Sequence, residues 1–102
     1  MTVRDEQMEV GYLTPAERLV RLHSFRYMRA LGCSWTGHDI VVEEAIGSIP
    51  DESQRCMARP DHPELVPRPE FFGYGKSVEQ ALQACIEKIR ARRFAELFLP
   101  KA

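Results

Sequence analysis

The chain has 102 residues, one domain (1–102) by length, with no room for separate catalytic and substrate domains. Its 14 basic and 15 acidic residues leave a formal net charge of −1, which argues against a protein that coats nucleic acid by bulk charge. A content of 44% hydrophobic and 9% aromatic residues argues for a packed core over a disordered tail. No apolar run nears the ~20 residues that span a bilayer, and Met1 to Glu6 carry no apolar secretory segment. Three cysteines, Cys33, Cys56 and Cys85, cannot all pair within one chain. Free thiols in a reducing cytoplasm are therefore expected, with no membrane partner.

Residues 1–13 are polar apart from Met8, Val10, Tyr12 and Leu13, and read as an arm or short edge strand. Thr14-Pro15-Ala16-Glu17 has the form of a helix start: a threonine cap, proline at the first position and a capping-box glutamate. The expected helix covers 14–31 and stops at Gly32. Its apolar residues do not share one stripe. Ala16, Val20, Tyr27 and Leu31 lie on one face while Leu22 and Phe25 point elsewhere, which suits a helix contacted on more than one side.

Residues 39–46 read as a strand around Ile40, Val41 and Val42. Between 39 and 52 the chain carries Asp39, Glu43, Glu44, Asp51 and Glu52 with no lysine or arginine. The first helix carries Arg18, Arg21, Arg26 and Arg29. Pairing of the basic and acidic regions, within the fold or across a homodimer, is the simplest expectation. Prolines 50, 60, 63, 67 and 69 exclude a long helix or a central strand, so 50–69 is expected as a surface loop. Residues 70–75 then read as a strand broken by Gly73 and Gly75. Ser77-Val78-Glu79-Gln80 opens a second helix over 77–92, where Val78, Leu82, Cys85, Ile86 and Ile89 cover one face. Residues 94–99 form a short helix or apolar tail. The expected architecture is α+β: a small antiparallel sheet packed against two main helices.

Four groups of residues, and one thiol taken by itself, carry candidate chemistry. Gly73, Gly75, Lys76 and Ser77 lie between a strand and a helix start, where free amides attract anions. A full phosphate loop would also need glycine at position 70, which is Glu70. Cys33, His38, Cys56 and His62 have the donor types of a tetrahedral zinc site but no C-x2-C knuckle. Cys56, beside Arg55 and Arg59, is the candidate for a thiol of lowered pKa. Arg18, Arg21, Arg26, Arg29, Arg90, Arg92 and Arg93 are the candidate basic patch for nucleic-acid phosphates. Trp35, Tyr74, Phe94, Leu97 and Phe98 offer more aromatic and apolar anchoring than one small core needs.

The stretch from Phe71 through Ile89, with Gly73, Gly75, Ser77, Glu79, Ala81-Leu82 and Ile86, resembles the strand–glycine–helix end of small HicB-like antitoxin domains. It covers about a fifth of the chain. The long first helix and the proline-rich middle depart from that family, and no residue role is carried over.

Composition and anchors together favour a non-catalytic protein-interaction module, an adaptor or an accessory or regulatory subunit that self-associates or binds a protein partner, without a cofactor. The first alternative is a nucleic-acid-binding regulator using the arginine-rich first helix. The second is a small zinc- or thiol-dependent enzyme.

Overall fold

In the computed structural model, the described residues are 13–100 together with the backbone of 3–4 and 9–10. Most of the expected arm over 1–13 lies outside them; within it, β1 (Val3–Arg4) pairs antiparallel with β2 (Glu9–Val10).

The expected helix over 14–31 is a strand instead. Its start signal does operate locally: the Glu17 amide donates to the Thr14 carbonyl (3.0 Å) and the Thr14 amide to Glu17 Oε1 (2.9 Å). These two bonds, with the Thr14 carbonyl in place of its side chain, close a single turn, and the chain then runs extended as β3 (Val20–Leu31), antiparallel to β4 (Ser34–Ala45). Tertiary pairing overrides the local signal for two reasons. The apolar residues of 20–31 lack the single stripe that a helix would bury. The acidic segment that follows offers a complementary strand, with Arg26 Nε 2.8 Å from Asp39 Oδ1 and His23 Nε2 2.9 Å from Glu44 Oε1.

The expected strand at 39–46 is the inner half of β4. The proline-rich stretch departs further from expectation, since β5 (Cys56–Asp61) pairs with β4 on one side and with β7 (Gly73–Gly75) on the other. Pro60 is tolerated there because of register. The Ala45 amide donates to Arg55 O (2.9 Å), so by alternation Pro60 opposite Ile40 is a pair without β4–β5 hydrogen bonds. Its nitrogen points away from β4, and β7 reaches only from Cys56 to Ala58. The proline therefore costs the ladder no hydrogen bond.

The sheet order is β3-β4-β5-β7, all antiparallel. Helix α1 (Val78–Ile89) crosses one face, capped by Ser77 Oγ, which accepts from the Gln80 amide (3.2 Å). After α1 the chain forms α2 (Phe94–Leu97) and β8 (Phe98–Pro100), which pairs with β6 (Leu65–Pro67). The architecture is thus a small antiparallel sheet against two helices, α1 and α2. The core comprises Ile40 and Val42 of β4, Cys56 and Ala58 of β5, Ala81, Cys85 and Ile89 of α1, and Phe71, Leu97 and Phe98.

Gly73 and Gly75 set how closely α1 approaches. A Cβ on Gly73 would collide with backbone atoms of Ala81, Ala84 and Cys85; one on Gly75 would lie 2.5 Å from Gln80 Cβ and 2.8 Å from the Ala81 amide. Because backbone cannot move aside as a flexible side chain can, Gly73→Ala should destabilise the fold by about 2 kcal/mol or more. Urea unfolding checks this, and an unchanged midpoint would refute the close-packing account.

Candidate functional site

The β3–β4 hairpin is the most exposed feature of the described fold. Two residues, Gly32 and Cys33, connect Leu31 to Ser34, which pair directly. Gly32 has φ +62° while Cys33 has an ordinary negative φ, the pattern of a two-residue turn with glycine first. Gly32 therefore reverses the chain between two strands and does not end a helix. The β4–β5 pairing stops at Asp39 opposite Asp61. Among the described residues, Ser34 to His38 pair with β3 alone, so roughly 17 Å of two-stranded ribbon runs beyond the sheet. Every residue from Ala30 to Gly37 is exposed.

Strand alternation sorts the hairpin side chains onto two faces. His23, Phe25, Tyr27, Arg29 and Leu31 share the α1 side with His38, Ile40 and Val42. Leu22, Arg26, Met28 and Ala30 share the open side with Trp35, Asp39, Val41 and Glu43, and Met57 and Tyr74 continue that side across β5 and β7. The open side holds Trp35 at 65% exposure, Leu22 at 60%, Tyr74 at 49% and Met28 at 44%. Gly37 opposes Met28, and a Cβ there would strike the Met28 sulfur, so the glycine makes room for the thioether to lie across the ribbon.

Of the five expected anchors, Trp35 and Tyr74 share this open side and Phe94 is exposed elsewhere. Leu97 and Phe98 are buried in the core, because β8 pairs back onto β6 and carries them inward. Leu22, Phe25, Met28 and Leu31, all exposed, were missed as anchors. The misfit of 14–31 to any single helical stripe was the one sign of them.

The seven arginines do not form one patch. Eight residues separate Arg21 from Arg29, about 26 Å along a strand against about 12 Å along a helix. Arg26 lies on the open side with Asp39. Arg29 points to the α1 side, where its guanidinium donates to the Arg90 carbonyl and to the Arg92 carbonyl (3.3 Å), a cation at a helix C-terminus. Arg29, Arg90, Arg92 and Arg93 are thereby gathered near the end of α1, while Arg18 precedes β3.

The other two groups are not assembled as sites. At the α1 start the Lys76 amide donates to Gln80 Oε1 (3.0 Å) and the Gln80 amide to Ser77 Oγ, and Gly73 and Gly75 lie flush against α1. These glycines serve packing. Among the possible zinc donors, Cys56 pairs with Glu44, six residues and about 20 Å along β4 from His38. Cys33 occupies the exposed turn, at the far tip of the ribbon. No group of three or more metal-type donors occurs among the described residues. Cys56 is also no activated thiol: burial pushes its pKa up, Glu44 adds to this, and Arg55 opposes only weakly. The Arg55 guanidinium is held by Glu52 (2.6 Å) and by the carbonyls of Ala45 (2.7 Å) and Gly47 (2.8 Å). Burial raises Cys85 to about 11.

His38 and His62 meet through aromatic contacts. His38 stacks on Phe94 with 5.6 Å between ring centres, and His62 lies edge-on to Phe94 at 5.6 Å and against Phe98 at 5.7 Å. Two described surface hollows, of 180 Å³ beside Arg18 and Ile49 and 230 Å³ beside Phe71 and Arg92, are smaller than the ~300–1,000 Å³ usual for small-molecule sites. No described helix is long and apolar enough to cross a membrane.

Comparison with known proteins adds no relative. No family model, curated protein or solved structure matches the chain. The hairpin geometry therefore carries the functional argument.

His38 gives the fold a pH dependence. Burial, and then the nearby Arg29 charge, hold its pKa below the ordinary 6.5. The unfolded chain consequently binds more protons between the two values. The stabilisation is complete above about pH 6.5 and is lost as pH falls through the depressed folded pKa. The melting temperature should fall between about pH 7.5 and about pH 5.5, and less steeply in His38→Gln. Equal slopes for the two proteins would remove His38 from this account.

Proposed function

We propose that this chain is a non-catalytic protein-interaction module, an adaptor or accessory subunit acting in the cytoplasm, and that it docks its partner through the projecting β3–β4 hairpin. One observation carries the reading. The ribbon extends past the sheet and exposes Trp35, Met28 and Leu31, and the part of β3 alongside the sheet exposes Leu22 and Phe25; none of the five belongs to the core. Leaving such large apolar groups in water forgoes burial worth about 1.5–3 kcal/mol for each one that can be fully covered, and tryptophan is a preferred anchor of protein interfaces. Three free thiols agree with a reducing compartment.

The gathering of Arg29 with Arg90, Arg92 and Arg93 favours nucleic acid as a second reading. The two differ in their response to salt. Phosphate binding weakens steeply with ionic strength, whereas an apolar hairpin contact responds weakly.

The test is native mass spectrometry of the protein purified from its own cells without chelator, in wild-type form and as Trp35→Ala/Met28→Ser. The expected result is a defined homo- or hetero-oligomer that the double variant loses. The variant should weaken affinity by roughly 30-fold (about 2 kcal/mol) with an unchanged melting temperature, since both side chains are exposed. A monomer in both forms, or equal retention of the partner, overturns the proposal. Retained nucleic acid released by about 0.5 M salt supports the second reading.

A further inference from the structure

β3 is an edge strand twelve residues long. Its register shows which main-chain groups are left open. The Ile46 amide donates to Leu19 O (3.0 Å), while the Ala45 amide turns the other way, to Arg55 O (2.9 Å). Hydrogen-bonded and non-hydrogen-bonded pairs alternate in an antiparallel ladder. Alternate residues from Arg21 to Leu31 therefore direct their N–H and C=O groups at β4. Val20, Leu22, Ser24, Arg26, Met28 and Ala30 direct theirs away from the sheet. Among the described residues no strand pairs with that outer edge. Proteins usually blunt such an edge with a bulge, a proline or a short strand; β3 is long, contains no proline and pairs residue for residue with β4 from Val20 to Leu31.

The charge pattern indicates what belongs there. β3 carries Arg21, His23, Arg26 and Arg29 and no carboxylate. β4 carries Asp39, Glu43 and Glu44 and no lysine or arginine. The strands interlock through these charges, Arg26 with Asp39 and His23 with Glu44, and β5 returns Arg59 to Glu43 at 3.1 Å. Charge thus changes sign between the acidic β4 and the basic, carboxylate-free β3, with β5 contributing Arg59 and Asp61, and the next place outward calls for an acidic strand. A second copy of β3 would instead set a carboxylate-free, arginine-bearing strand against its own kind, and like charges directly opposite are destabilising.

We propose that the outer edge of β3 takes an extended segment of a partner polypeptide in which carboxylates alternate with apolar residues, added as a fifth strand. Its main chain bonds the outward groups of Leu22, Ser24, Arg26 and Met28. Its carboxylates, on the open side, face Arg26, and its apolar residues, on the α1 side, cover the exposed Phe25 and Leu31. Main-chain bonds supply adhesion and side chains on alternate positions supply selectivity. This rests on the hairpin being the docking surface and adds the chemistry and geometry of the partner.

The experiment titrates the full chain with an acetylated, amidated peptide of roughly ten residues alternating glutamate and valine, and with its lysine counterpart. Amide hydrogen exchange is followed by NMR. The glutamate peptide should slow exchange of the Leu22, Ser24, Arg26 and Met28 amides at least about tenfold and leave Phe25, already bonded to β4, nearly unchanged. The lysine peptide should not do so. Ser24→Pro removes one outward N–H without touching the β4 ladder and should abolish the protection while keeping the melting temperature. Should that variant fail to fold, Arg26→Gln, which changes an exposed side chain only, should weaken binding several-fold, and more at low salt than at high. Equal binding of the two peptides, or protection confined to another surface, overturns the proposal. So do outward amides already protected without peptide in a sedimenting dimer; that result would assign the edge to a second copy and leave the hairpin as an interaction surface. Loss of partner with Trp35→Ala/Met28→Ser but retention with Ser24→Pro overturns the added strand alone, whereas retention with both overturns the hairpin reading as well.

Discussion

The turn at Gly32 and Cys33 places Leu31 directly opposite Ser34, and from that pair outward the register of the sheet's two longest strands is determined. Side chains in a strand alternate with a period of two, so a slip of one residue would send Ile40 and Val42 to the open side and Val41 and Glu43 toward α1. In the register adopted, Ile40 and Val42 meet Cys56, Ala58 and α1, while Asp39 and Glu43 stay on the open side where Arg26 and Arg59 meet them. One turn thereby fixes both the composition of the core and the charge pattern of the exposed side. Gly32 makes this possible, because φ near +62° is accessible to glycine without steric cost.

The body and the ribbon have different physical characters. Around β4, β5, β7 and α1, burial is dense, and small residues permit close approach: Gly73, Gly75, Ala58 and Ala81 let the helix lie almost on the strands. Beyond Asp39, no described helix covers Ala30 to Gly37, and large apolar groups remain in water. A stable body thus holds out an arm whose residues contribute little to its own stability. The proposed docking role would make this a division between scaffold and contact surface, in which function tolerates what folding alone would not select.

Charged groups organise the molecule without making it a bulk polyelectrolyte. Arg55 binds Glu52, the carbonyl of Ala45 at the end of β4 and that of Gly47 just beyond it, and Arg29 seats on carbonyls at the end of α1. Asp39 is held below the usual carboxylate range by its hydrogen bond from Arg26, whose own pKa is raised in return. Exposed pairs of this kind contribute little net stability. Their consequence is selectivity, since they decide which strand lies beside which.

Several elements were legible from residues alone because their signals are local. Ser77 with Glu79 and Gln80 opens α1, the Val78-Leu82-Cys85-Ile86-Ile89 stripe runs along it, and the β-branched run at Ile40–Val42 marks a strand. The complementarity of the basic and acidic segments was legible too, although as charge and not as a hairpin. What failed was the conformation of 20–31 and the placement of Pro60, Leu97 and Phe98. The Glu17 carboxylate bonds the Thr14 amide as predicted, yet a closed first turn propagates into a helix only if the following residues bury a common stripe. Here a complementary strand beyond Gly32 offered pairing along twelve residues instead. Pro60 depends on how far a neighbouring strand extends, and Leu97 and Phe98 on whether β8 folds back to β6. The sequence by itself determined the α+β class, the second helix and the sign of charge on each segment, all of which are set by neighbouring residues. The tertiary structure decided which side each strand residue faces, and so which apolar groups are core and which are exposed, because that depends on pairings between segments distant in the chain.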